Sequence, residues 1–312
     1  MNKALQEWAN ERGYRIAWGR PEIVDEVRVE FDRRREAGEL GECVYERFLS
    51  TFNYLNNEKL PHANAVIVLA VPRPAHRMTF ETGNGVFEAV VPPTYVGYGE
   101  VRKQVKHELE TIPLGGKYRV ATLKAPLKAL AARLGLVMYG RNNLTYAPGL
   151  GSYHQLMGFL TDATLEPLST PRANALEVSP ECEYCQACAD ACPTRAIRSD
   201  QFLLHIDVCL TLHTELPGPW PKWLPDSAHN CLVGCLICQE TCPQNVGLLR
   251  VEPAGASFTE EETRAILSNG EDRSGPVWDT IKAKLDMVGF VGFESIIGRN
   301  LRALMARKEE RE

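Results

Sequence analysis

An α+β fold is predicted by three observations. The run Ala65-Val-Ile-Val-Leu-Ala-Val71 is apolar throughout and closed by Pro72; helical and strand-like segments alternate around it; and nine of the ten cysteines lie between positions 182 and 242. The chain therefore divides into a layered α/β domain at 1–175, a cysteine-rich, ferredoxin-like segment at 176–250 and a helical segment at 251–312.

Leu5, Trp8 and Ala9 recur at helical spacing, and the charged stretch from Glu26 to Gly38 continues as helix. Cys43 follows and reads as a plain buried thiol. Residues 65–71 suit a strand buried on both faces, since no polar residue interrupts them. From Met78 to Val91 the flanks are rich in Thr, Phe and Val around Gly83-Asn84-Gly85, which predicts a hairpin. Helical periodicity returns at 99–109 and 127–134, with strands expected at Tyr118-Arg-Val-Ala-Thr122 and Leu156-Met-Gly-Phe-Leu160. Beyond the cysteines, Thr259-Glu-Glu-Glu262 opens a helix with a capping pattern, and 278–285 and 293–304 read as further helices.

With 312 residues and 44% hydrophobic content the chain can bury one large or two medium cores, and no window reaches the roughly eighteen apolar residues of a membrane span. A net charge of -5 gives no general attraction to nucleic acid, and the stretch Arg102-Lys103-Gln-Val-Lys106-His107 reads as a solvated helix face. The N-terminus has neither a signal-length apolar core nor a twin arginine, so a cytoplasmic protein with reduced thiols is expected.

Eight cysteines form two runs, Cys182-Glu-Tyr-Cys185-Gln-Ala-Cys188-Ala-Asp-Ala-Cys192-Pro193 and Cys231-Leu-Val-Gly-Cys235-Leu-Ile-Cys238-Gln-Glu-Thr-Cys242-Pro243. The first is the pattern of proteins with two [4Fe–4S] clusters, where three thiolates wrap one cluster and the fourth, redirected by proline, reaches the other. Cys182, Cys185, Cys188 and Cys242 are then expected on one cluster. Cys192, Cys235 and Cys238 are expected on the second, its last position open to Cys209 or Cys231. Zinc knuckles and disulfides are the alternatives, but zinc sites need neither the third cysteine nor the terminal Cys-Pro.

The segment Lys128-Ala-Leu-Ala-Ala-Arg-Leu-Gly135-Leu-Val-Met-Tyr139-Gly140-Arg-Asn142, followed by Gly151-Ser-Tyr153, Leu160-Thr-Asp162 and two cysteine runs with Cys209 between them, resembles epoxyqueuosine reductase and its relatives. Reductive dehalogenases are more distant relatives of this type. The resemblance implies a nitroreductase-like α/β domain that binds cobalamin. It also implies two [4Fe–4S] clusters that feed the cobalamin electrons from a low-potential donor of ferredoxin or flavodoxin type. It assigns Cys209 to the second cluster and leaves Cys231 as an extra thiol. Tyr98, Gly135, Tyr139, Gly140 and Asn142 match corrinoid-site positions: glycines admit backbone amides close to a planar ligand, and Asn can bond its amide side chains.

One departure bears on the substrate. In that family a catalytic aspartate lies two residues before an Ala-Pro or Gly-Pro pair; the pair here is Ala125-Pro126, which puts Leu123 at the carboxyl's position. Leucine cannot transfer a proton. Lys124, if burial lowers its pKa, and Tyr153 are the expected replacement donors, with Tyr139 and His154 in the same matched segments. Their plain alternatives are a solvated lysine, packed tyrosines and a surface histidine. The expected function is a cobalamin-dependent iron–sulfur reductase acting on an unidentified substrate, with tRNA disfavoured. The alternative is an electron-transfer protein that reductively activates a separate corrinoid protein.

Overall fold

The computed structural model describes residues 2–40, 42, 45–55, 60–168, 170–172, 176–268 and 273–309; Cys43 lies outside them. In chain order the first elements are α1 (Asn2–Glu11), β1 (Arg15–Gly19), α2 (Glu22–Glu36), β2 (Ala65–Pro72), β3 (Ala75–Thr82), β4 (Gly85–Val91), α3 (Tyr98–Leu109) and β5 (Val120–Thr122). Then come α4 (Leu127–Arg133), β6 (Met138–Tyr139), β7 (Thr145–Tyr146), β8 (His154–Thr161), α5 (Ala187–Asp190) and α6 (Leu210–Glu215). The chain closes with α7 (Ile237–Glu240), β9 (Val251–Phe258), α8 (Glu260–Leu267), α9 (Pro276–Met287) and α10 (Ile297–Glu309).

Two compact units result, and neither is continuous in sequence. The first comprises Met1–Pro72, Val101–Gln186 and Ser199–Leu203; the second comprises Arg73–Glu100, Ala187–Arg198 and Leu204–Glu312.

In the first unit the sheet order is β1-β2-β8-β5, with every pairing antiparallel. Strand β2 explains the layering, because alternate side chains point to opposite faces. Val66, Val68 and Ala70 pack with Ile23, Val24 and Val27 of α2 and with Ala129 and Leu130 of α4. Ala65, Ile67, Leu69 and Val71 pack with Leu5, Trp8 and Ala9 of α1 and with Val105 and Leu109 of α3. Both faces of β2 are thus covered by helices, as its uninterrupted apolar run predicts. Truncating such a residue, Ile67→Ala for instance, costs roughly 2–5 kcal/mol. On the outer face of α3, Lys106 pairs with Glu110, the behaviour of a solvated basic stretch.

In the second unit β3 and β4 form the expected hairpin, and β9 adds to β3 in parallel, giving the order β4-β3-β9. Pro253 is tolerated because β9 is an edge strand. Phe80 of β3 stacks on Phe258 of β9 at a centroid distance of 5.0 Å, over a core that takes in Ile266, Ile281, Leu285 and Leu301 from α8, α9 and α10. Helix α8 starts with the predicted capping box, Thr259 and Glu262 each bonding the other's backbone N–H.

Two expectations need correction. The divisions at 175 and 250 do not hold: residues 73–100 pack with the C-terminal part, because β9 supplies the hairpin with its third strand. The last helix begins at Ile297 rather than 293, since residues 293–297 form a turn in which the Phe293 carbonyl accepts from the N–H groups of Ile296 and Ile297. Among the described residues no helix is long and apolar enough to cross a membrane.

Candidate iron–sulfur centre

Four thiols of the second unit lie within reach of one another's charge. Cys209 precedes the first turn of α6, and its sulfur faces the N–H groups of Thr211 and Leu212 there. Cys235 and Cys238 bracket the start of α7, and Cys192 follows α5. Burial pushes the Cys238 thiol up, and negative charge on Cys235, Cys209, Cys188 and Cys192 would push it further. Cys235 is raised by burial first and then by Cys209 and Cys192, and Cys209 by burial first and then by Cys192. Ionising one thiol opposes ionising the next, so a group of this kind becomes a set of thiolates only around a cationic centre. The donor set is all sulfur, as a [4Fe–4S] cluster requires.

Cys231 is linked to this group through Cys235 and the Asn230 amide between them. It is 1% exposed, the thiol charge bearing on it is that of Cys235, and its Sγ donates to Asn230 Oδ1 at 3.3 Å. Of the two sequence candidates for the last ligand, Cys209 feels the charge of Cys192 and bears on both Cys235 and Cys238, whereas Cys231 feels that of Cys235. Gly234, just before Cys235, has φ +77°, and a Cβ there would come within 2.9 Å of the Tyr95 ring; only glycine fits. The nine described cysteines are all free of disulfides. Among the described residues no three Cys, His, Asp or Glu side chains are drawn together as around a single metal ion.

In the first unit the loop carrying Cys182 and Cys185 is held by Arg141, from the β6–β7 turn. Arg141 is 8% exposed, and its guanidinium donates to the carbonyls of Cys185 at 2.9 Å, Glu183 at 3.2 Å and Ser199 at 3.3 Å, and to that of Cys182. Sequence reasoning missed Arg141, although it sits between Gly140 and Asn142 in a matched turn. It also missed Asn300, 1% exposed, whose Nδ2 donates to Thr214 of α6 at 2.9 Å and to Leu232 at 2.8 Å.

The residues expected at a corrinoid have well-defined local roles. Gly135 ends α4, and a Cβ on Gly140 would lie 2.5 Å from the Tyr146 ring, so the turn needs glycine there. Asn142 donates from Nδ2 to Tyr146 Oη at 2.9 Å and accepts the Leu144 N–H at Oδ1, 3.2 Å. Tyr139 is buried edge-on against Phe202, 5.1 Å between centroids, and burial raises its hydroxyl pKa. Tyr98 starts α3 and is partly exposed.

Among the candidate proton donors, Lys124 is exposed, so the desolvation its role depended on is absent. Tyr153 is buried at the entry to β8. His154 is buried rather than on the surface: Nε2 faces Thr145 Oγ1 at 3.1 Å, Nδ1 faces the Gly151 carbonyl at 3.0 Å, and burial lowers its pKa to about 4. Leu123, at 3% exposure, belongs to the first unit's core and contacts the space a Cβ on Gly158 would fill.

Residues 181–245 match a family described as a 4Fe-4S double cluster binding domain. The chain is 36% identical over 131 residues to an epoxyqueuosine reductase of Synechococcus sp., covering 41% of this chain and 38% of the relative. It is 32% identical over 120 residues to that of Lactococcus garvieae, covering 38% and 32%. The chain resembles the epoxyqueuosine reductases. The aligned stretch spans less than two-fifths of either relative's length. Over almost the whole chain the fold is also that of solved epoxyqueuosine reductases. The Bacillus subtilis structure matches at TM-score 0.69 and 21% identity over 98% of this chain and 81% of its own. The Streptococcus thermophilus structure matches at 0.70 and 19% over 100% and 82%. The mixed α+β architecture and the double-cluster segment are therefore shared with epoxyqueuosine reductase-like proteins.

Proposed function

We propose that the chain is a cobalamin-dependent iron–sulfur reductase acting on a substrate other than epoxyqueuosine in tRNA. The observation that carries this reading is the match of residues 181–245 to a double-cluster domain, within which Cys192, Cys209, Cys235 and Cys238 lie in reach of one another's charge. These four would hold the second cluster, and Cys182, Cys185, Cys188 and Cys242 the first, as their spacing predicts.

A bound cobalamin would supply a low-potential, nucleophilic cobalt. The resemblance supports its binding by the first unit, with Gly135, Tyr139, Gly140 and Asn142 as the contact region through their main chain. Arg141 fixes the Cys182–Cys185 loop to this same β6–β7 turn, so the two stay in register. The N–H groups at the start of α6 would offset thiolate charge at Cys209. A donor of ferredoxin or flavodoxin type would refill the clusters. Leu123 in the apolar core supports a different substrate, since the acid that would protonate an opened epoxide has no counterpart there. Of the candidate proton donors, Tyr153 is the stronger proposal because Lys124 is exposed and burial keeps His154 neutral.

The test is the EPR spectrum of the anaerobically reconstituted protein with one equivalent of cob(II)alamin. A cobalt signal perturbed by the protein is expected. The free-cobalamin spectrum would overturn the reading in favour of an electron-transfer protein that serves a separate corrinoid protein.

A further inference from the structure

Asn230 Nδ2 lies 3.2 Å from the sulfur of Cys235 and also donates to the Ala228 carbonyl at 3.1 Å. Its Oδ1 accepts the Leu236 backbone N–H at 2.9 Å and the Cys231 thiol at 3.3 Å. A primary amide offers two donor hydrogens and one oxygen with two lone pairs, so this side chain is fully used. Its orientation is also determined: a backbone N–H can only donate and a backbone carbonyl can only accept, which puts oxygen towards Leu236 and nitrogen towards Ala228 and Cys235. Cys231 is enclosed beside Leu232 and Val233, both fully buried, and its sulfur meets the Asn230 amide oxygen while the amide nitrogen meets Cys235.

We infer that Asn230 and Cys231 form an outer hydrogen-bonded relay that sets the reduction potential of the cluster held by Cys235, with Cys231 positioning Asn230 and Asn230 donating to the cluster sulfur. The inference rests on the cluster assignment proposed above. Reduction adds negative charge to an already anionic cluster, and a hydrogen bond to a ligand sulfur stabilises the more negative form, so the bond raises the potential. Cys231 suits the outer position because it is a small donor that survives full burial. Its four-residue spacing from Cys235 imitates a ligand, yet its bond is to an amide.

An EPR-monitored redox titration of the reconstituted full chain, with iron analysis of the same samples, tests this. Cys231→Val should keep the full iron content and shift one cluster to a more negative potential. Cys231→Ser, which retains a donor, should stay near the wild-type value, and Asn230→Asp, which loses the N–H, should shift at least as far as the valine variant. Cys209→Ser should lose one cluster's share of iron. Loss of that share in Cys231→Val would overturn the inference by making Cys231 a ligand; unchanged potentials with full iron would overturn it by leaving the relay without effect. Cys231→Ala carries the same test if valine overpacks the site. A wild-type protein that holds both clusters but leaves cob(II)alamin unperturbed would sink the cobalamin reading while the relay stands.

Discussion

Arg141 Nε lies 2.9 Å from the carbonyl oxygen of Cys185, and the same guanidinium holds the Cys182 carbonyl. One planar cation therefore fixes both ends of the Cys182–Cys185 loop, a geometry the single ammonium of lysine cannot reproduce. Hydrogen bonds to charged groups are worth about 1.5–3 kcal/mol each. Arg141→Lys is expected to lose about 2 kcal/mol and Arg141→Gln somewhat more, both with less iron after reconstitution. Thermal unfolding and iron analysis of the same samples check this; full iron and an unchanged Tm would show that the loop holds itself.

Leu123→Asp is the direct test of the missing acid. The position is 3% exposed in an apolar core, so the carboxylate would be buried without a partner. The expected result is a stability loss above about 3 kcal/mol in urea unfolding, with no gain of epoxyqueuosine reduction. A stable variant that reduces epoxyqueuosine would mean that Leu123 faces a substrate.

His154 predicts a pH dependence. Its folded pKa is depressed to about 4 from an ordinary 6.5, so the unfolded chain binds the proton more readily. The group's contribution is present above about pH 6.5 and is lost as pH falls towards about 4. The full difference amounts to about 3 kcal/mol. Unfolding free energies measured across that range should decline in the wild type, and His154→Gln should lack this component.

Asn300 joins the end of α6 to the segment before Cys235 through Thr214 and Leu232. Asn300→Leu leaves two buried carbonyls unbonded, at about 1–3 kcal/mol each. Because Cys209 immediately precedes α6, the variant should lose its second cluster to a chelator faster than the wild type does. Equal loss rates would show that α6 is held by other contacts.

The legibility of the fold in the sequence followed the range of the interactions. Strand β2 announces itself because both faces are buried, leaving no polar residue in the run, and the β3–β4 turn is marked by Gly83-Asn84-Gly85. Strand β9 does not announce itself: Val-Glu-Pro-Ala-Gly-Ala-Ser-Phe lacks clear alternation, and its pairing with β3 is a long-range event without local signature. The domain boundaries went wrong for that reason. In the site, the cysteine spacings are legible because iron dictates them. The exposure of Lys124 and the burial of His154 depend on neighbours distant in sequence. Arg141 and Asn230 act on main chain and sulfur, and such partners leave no pattern of residue types to read.

The pairing of Ala75 with Val251 joins positions 176 residues apart, 251 minus 75, and every cysteine of both runs lies between them in the chain. During synthesis the hairpin emerges long before its third strand, so β3 waits with an open edge while all the iron ligands are made. Closure over so long a loop is slow, because the entropy of bringing distant segments together is lost before the strands can hydrogen-bond. A chain truncated before residue 251 would keep every thiol yet expose that edge permanently, and aggregation of such a fragment would come from the hairpin rather than from the cysteines.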